Sequence, residues 1–238
     1  MEKRGSHVGI ILSFVVFILF VSFLFVVFKP SIKVQQNKEL ALEYLEKELV
    51  NLSTGELASV AISFIQNYDL QEISCVSIVH PENFENYGYA LVKKDESLIE
   101  SSKSTNTMDF DILENLGFYK IYYSNEELSP ETLTEIDCEV AVKDTNYEIG
   151  LISTKEYIFE SKVVNLIEEL KTNETFYSEV QRIINNEFDF GFTYSNETSV
   201  WTNEVRDVST NIYIKKIPVQ YIDEQANIKS GYLNLRIW

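Results

Sequence analysis

Residues Val8 to Phe28 read VGIILSFVVFILFVSFLFVVF, 21 consecutive positions without a charge. As a helix the run is about 31 Å long, close to the hydrocarbon thickness of a bilayer, and a helix satisfies its backbone polar groups internally, as lipid demands. A cleaved secretory signal has a shorter apolar core followed by small residues. Here the run ends Val27-Phe28-Lys29-Pro30-Ser31, so the pattern predicts a transmembrane anchor over 8–28 behind a short basic N-terminus, 1–7. Lys3 and Arg4 precede the span and Lys29, Lys33 and Lys38 follow it, which leaves the positive-inside rule nearly balanced. Pro30 is expected to interrupt the helix just past the membrane. That makes 29–38 a polar linker.

From Lys38 the periodicity becomes amphipathic. Leu42, Leu45 and Leu49 share one helical face, a stripe suited to capping the domain's own sheet. After Gly55 the period shortens to two. LASVAISFI, ISCVSIV, YGYALVKK, FYKIYYS and IDCEVAVK read as strands, and Glu148–Phe159 as a longer strand or a hairpin. Two helices follow. In ESKVVNLIEELK, Val164, Ile167 and Leu170 fall on one face; in ETFYSEVQRII, capped by Thr172-Asn173, the face is Phe176, Val180, Ile183 and Ile184. Phe188, Phe190, Phe192 and Tyr194 then alternate along one aromatic strand face. The apolar phase of Ile212 and Ile214 resumes out of step at Ile217, Val219 and Tyr221, so a bulge is expected at Lys215-Lys216. Pro218 marks an edge or irregular segment. A turn at 223–227 leads to GYLNLRIW, whose Leu233, Leu235 and Ile237 share a face and pair as a hairpin with 211–222. The sum is an α+β protein: an N-terminal transmembrane helix, then a β-rich antiparallel head over 39–238 with a few packed helices.

Charge narrows the partners. The 238 residues include 20 basic and 37 acidic side chains; five basic and one acidic lie in 1–38, so the rest carries 15 against 36, a net of −21. Such a head repels nucleic acid and an anionic cytoplasmic leaflet alike. Membrane lipid is the expected partner of the span. A second copy, or a component of an envelope complex, is the expected partner of the protein.

Cys75 and Cys138 lie in two strand-like runs. In an oxidising compartment they can pair; as buried thiols they would serve equally as core residues. Asn51, Asn173 and Asn196 begin N-x-[ST] sequons at expected turns or helix ends, compatible with surface glycans. Both features point to a head outside the cytoplasm.

Candidate chemistry is sparse. His80, before Pro81, is the single histidine beyond the membrane edge, so no zinc triad can form. With Cys75 on the same run it is the nearest approach to a nucleophilic pair, but a surface-turn histidine is the simpler expectation. Asp109-Phe110-Asp111 lacks the other oxygen ligands and the glycine of a calcium loop and is expected to cap a short helix ending at Gly117. There is neither a P-loop nor a G-x-G-x-x-G. No cofactor or metal is implied, and no catalytic activity is expected; an anchored extracytoplasmic hydrolase is the minor alternative. In the span, Gly5, Gly9 and Ser13 form a small-residue ladder, and Phe14, Phe17, Phe20 and Phe23 recur every third residue.

The N-terminus resembles that of type IV pilin-like proteins with an archaeal class III signal: Lys3-Arg4-Gly5, then Ser6-His7 and the apolar helix. The resemblance implies cleavage between Gly5 and Ser6 by a dedicated membrane peptidase. It also implies a helix that packs in a filament core or holds the subunit in the membrane, and an extracytoplasmic β-rich head. Many members carry glutamine or glutamate where this chain has Val8 and Ile10. The expected role is thus a single-pass, pilin-like structural or interaction subunit at the cell surface, with an accessory subunit of an envelope complex as the alternative.

Overall fold

The computed structural model describes residues 6–65, 73–112, 117–134, 137–202 and 212–238, with the backbone alone at 6–8 and 28–36. Helix α1 (Ser6–Ser53) is one continuous element of 48 residues, about 72 Å long. The expected break at Pro30 and linker over 29–38 are therefore corrected: helix continues through both. Proline removes one i→i−4 bond and crowds the preceding turn, but strongly helical segments flank it, the apolar run before and the Leu42/Leu45/Leu49 face after. These three leucines and Ala41 are all buried.

The head follows directly. Its elements are β1 (Thr54–Phe64), β2 (Cys75–Val79), β3 (Tyr89–Lys94), β4 (Ser97–Ile99), β5 (Ser101–Lys103), β6 (Thr107–Asp111), β7 (Phe118–Ser124), β8 (Glu139–Val140), β9 (Tyr147–Phe159), α2 (Glu160–Thr172), α3 (Glu174–Ile184), β10 (Phe188–Thr193), β11 (Ser199–Trp201), β12 (Tyr213–Ile222) and β13 (Ile228–Ile237). Nine strands form one sheet in the order β11-β10-β13-β12-β9-β1-β7-β3-β4, and four form a second, β5-β6-β2-β8. The pairing is antiparallel except for two short parallel contacts, β9 with β12 and β2 with β8.

One face of the large sheet is covered from both ends. Over β10, β12 and β13 lie the end of α1 together with α2 and α3, closing a core that includes Leu45, Leu49, Leu166, Ile167, Phe188, Phe190, Phe192, Leu233 and Leu235. Over β1, β3 and β7 lies the small sheet, closing a second core around Val60, Ile62, Val76, Ile78, Phe110 and Ile121. On the reverse face Leu57, Leu91, Tyr122, Phe159 and Ile222 gather with Leu128 and Ala226. Among the described residues the two halves of the large sheet meet at two residue pairs, Tyr221 with Ile158 and Ile222 with Phe159.

Several local expectations change. Of the two readings of 148–159 the longer strand holds and the hairpin does not. Lys215-Lys216 carries no bulge: β12 pairs with β13 in unbroken register from Tyr213–Ile237 to Ile222–Ile228. The phase conflict is met instead by turning Ile214 out, 64% exposed, and Lys215 in, where its ammonium pairs with Glu46 of α1. The bulge lies in β9, where Val60 faces Ile152 and Ile62 faces Ile149. Asp109 and Asp111 lie in strand β6, so no helix starts there; Met108 and Phe110, both buried, alternate with them, and 113–116 lie outside the described residues. In α2 the buried side chains are Val163, Leu166, Ile167 and Leu170, with Val164 at their margin. In α3 Val180 and Ile184 are buried, but Ile183 is exposed. Asn173 ends α2 and caps α3, its side chain accepting from the Phe176 amide.

Candidate functional site

The described part of the apolar run, Gly9–Val27, is the one helix segment among the described residues long and apolar enough to cross a membrane, with a mean hydropathy of 3.2 and none of it buried. Phe14, Phe17, Phe20 and Phe23 are exposed, and so are Leu12, Leu19 and Phe25. The phenylalanine stripe is thus not distinguished from the rest of the circumference. Gly9 has open space where a Cβ would stand. Gly5, at the implied processing site and the head of the small-residue ladder, lies outside the described residues; Ser6 begins the helical backbone. About 17 Å of the same helix separates Val27 from Lys38, whose ammonium reaches the Asn186 side chain just after α3.

Cys75 and Cys138 form a disulfide, with Cα atoms 4.9 Å apart. Each immediately precedes a residue of the β2–β8 parallel contact, Val76 opposite Glu139. The bridge therefore joins equivalent positions of neighbouring strands, and no free thiol stands beside His80. Asn51, Asn173 and Asn196 are all exposed. Asn51 lies in the last turn of α1; Asn196 turns β10 into β11, its amide oxygen accepting from the Thr198 amide and hydroxyl.

His80 is not a surface residue: it is 7% exposed. Nδ1 lies 3.1 Å from the Tyr123 hydroxyl and Nε2 3.1 Å from the Ser104 carbonyl oxygen. A carbonyl only accepts, so Nε2 carries the proton and Nδ1 accepts from Tyr123. Burial lowers the His80 pKa, the Ser104 carbonyl opposing it, and both ring nitrogens are spent on the fold. Phe84 and Tyr87 pack around the Tyr123 ring. Burial and the Glu56 carboxylate, which accepts from its hydroxyl, push Tyr87 up to about 12. Among the described residues no three acidic, His or Cys side chains gather as a metal would require.

Two polar networks were not foreseen. At the β12–β13 turn, Asp223 accepts from the Gln225 and Asn227 amides and pairs with Lys229 at 2.7 Å. Burial would raise its pKa, but these hydrogen bonds outweigh it and hold the carboxyl below its ordinary value. Lys93, 3% exposed on β3, donates to Asn227, and burial pushes its pKa down. The turn residues hinted at the first half; the lysine comes from 134 residues away. On the sheet's reverse face, Asp189 accepts from Thr202 and lies 3.8 Å from Arg236, whose guanidinium stacks on Trp201. A cleft of about 960 Å³ opens on that face between Thr193, Ser199, Lys216, Gln220 and Tyr232, with the Lys216 ammonium 3.8 Å from the centre of the Tyr232 ring.

Comparison with family models, curated proteins and solved structures gives no match.

Proposed function

We propose that this protein is a single-pass membrane-anchored subunit of the cell surface, pilin-like in plan and non-catalytic, whose acidic head stands outside the cytoplasm. One observation carries the reading: a single helix has an unburied apolar half and a half locked into the head's core. Nineteen residues of mean hydropathy 3.2, none of them buried, are costly to leave in water and suited to lipid. The Lys3-Arg4-Gly5 start adds the resemblance to class III signals, with cleavage between Gly5 and Ser6. The disulfide and the three exposed sequons support an oxidising, extracytoplasmic setting.

A second reading, an accessory subunit of an envelope complex, is favoured by the open strand edge of the head described below. Carbonate-washed membranes test the anchor: the native chain stays in the pellet, whereas release into the wash refutes it. N-terminal sequencing tests the processing, with Ser6 as the expected first residue and Met1 as the contrary result.

A further inference from the structure

We propose that the head binds an extended, lysine- or arginine-bearing segment of a partner protein, added as a strand along the open edge of β9 beside the end of α1. β9 pairs with β1 along its whole length on one side, but on the other it meets β12 only at Ile158 and Phe159. From Glu148 to Tyr157 its outer edge has no strand partner among the described residues. Such an edge is a template for β-augmentation. The bulge at 150–151 and the exposed Lys155 blunt this edge in part, yet Leu151 stays 77% and Ile152 47% exposed along it.

The occupant's charge follows from what lines the approach. Between α1 and this end of β1 and β9 runs a groove of about 680 Å³, lined by five glutamates and one lysine, Lys47; Glu46 is paired with Lys215, which leaves Glu43, Glu48, Glu56 and Glu156 to set its charge. Glu56 and Glu156 stand directly opposite each other on β1 and β9. Like charges facing across a strand pair repel, and among the described residues neither makes an ion pair. An incoming lysine or arginine turns that repulsion into attraction. A second acidic head, with its net charge of −21, increases it, so a cationic partner fits and a second copy does not.

The full chain in detergent micelles is titrated with a short peptide alternating lysine and valine, and with the same peptide carrying proline for valine. The binding is read on the head, so its failure leaves the anchoring untouched. The expected result is binding of the first peptide only, since proline cannot join a ladder, with slowed amide exchange over 148–157. Glu56→Gln/Glu156→Gln is expected to weaken it by about tenfold. Equal binding of the proline peptide, or unchanged affinity in the double variant, overturns the proposal. Protection of 148–157 that grows with protein concentration and no peptide also overturns it, by placing a second copy there.

Discussion

Ile158 and Tyr221 face each other in the two-pair parallel contact that joins the halves of the large sheet, and both belong to the helix-covered core. The next pair, Phe159 and Ile222, belongs to the core on the reverse face. A seam of two residue pairs thus holds the sheet together because hydrophobic packing clamps it from both sides. Ile158→Ala is expected to destabilise the head by about 2–5 kcal/mol, with faster amide exchange at the ends of both β9 and β12. Faster exchange confined to β9 would show that the seam does not couple the halves.

The Cys75–Cys138 bridge spans 63 positions of sequence. Closing a loop of that size restricts the unfolded chain by about 4 kcal/mol. Cys75→Ser/Cys138→Ser is expected to lower unfolding stability by about that amount in denaturant titrations under oxidising conditions, and to match the reduced wild type. A variant as stable as the oxidised wild type would contradict this.

His80 makes stability depend on pH. Its folded pKa lies below its unfolded value of about 6.5, so the neutral form is the one the fold holds. The stability it contributes is complete above about pH 6.5 and is lost as pH falls below that value. Urea midpoints at pH 7.5 and 5.5 are expected to differ more for wild type than for His80→Gln, which keeps a donor and an acceptor without titrating. Equal differences would show that the ring takes no part.

Asn173 serves two helices, ending α2 and capping α3. Asn173→Ala is expected to cost about 1 kcal/mol and to abolish any glycan there, whereas Asn173→Asp keeps the cap and also removes the sequon. Equal stability of the two variants would contradict the cap's role; thermal unfolding separates them.

How legible all this was in the sequence depends on the range of each interaction. Leu42, Leu45 and Leu49, the alternating Phe188, Phe190 and Phe192, and Leu233, Leu235 and Ile237 announce their buried faces by period alone, and all are buried. Tertiary context decided the rest. The helix continues through Pro30 because both flanks are held helical. Met108, Phe110 and Ile112 have the period of two, but the aspartates between them suggested a cap. The packing of β6 against β2 prevails. His80 is buried by partners 24 and 43 positions away, and Lys215 points inward because Glu46 awaits it. Neither relation has a local signature. The open edge of β9 was equally hidden, since an unpaired side is a property of the assembled sheet.

One unbroken helix joins the apolar run to the core of the head. Spin labels at Val27→Cys, in the span, and Tyr44→Cys, on the exposed side of the docked end, test it in lipid bilayers by pulsed dipolar spectroscopy. A continuous helix predicts a single narrow distance of about 26 Å; a broad or multimodal distribution, or a chain that does not enter the bilayer, would contradict it.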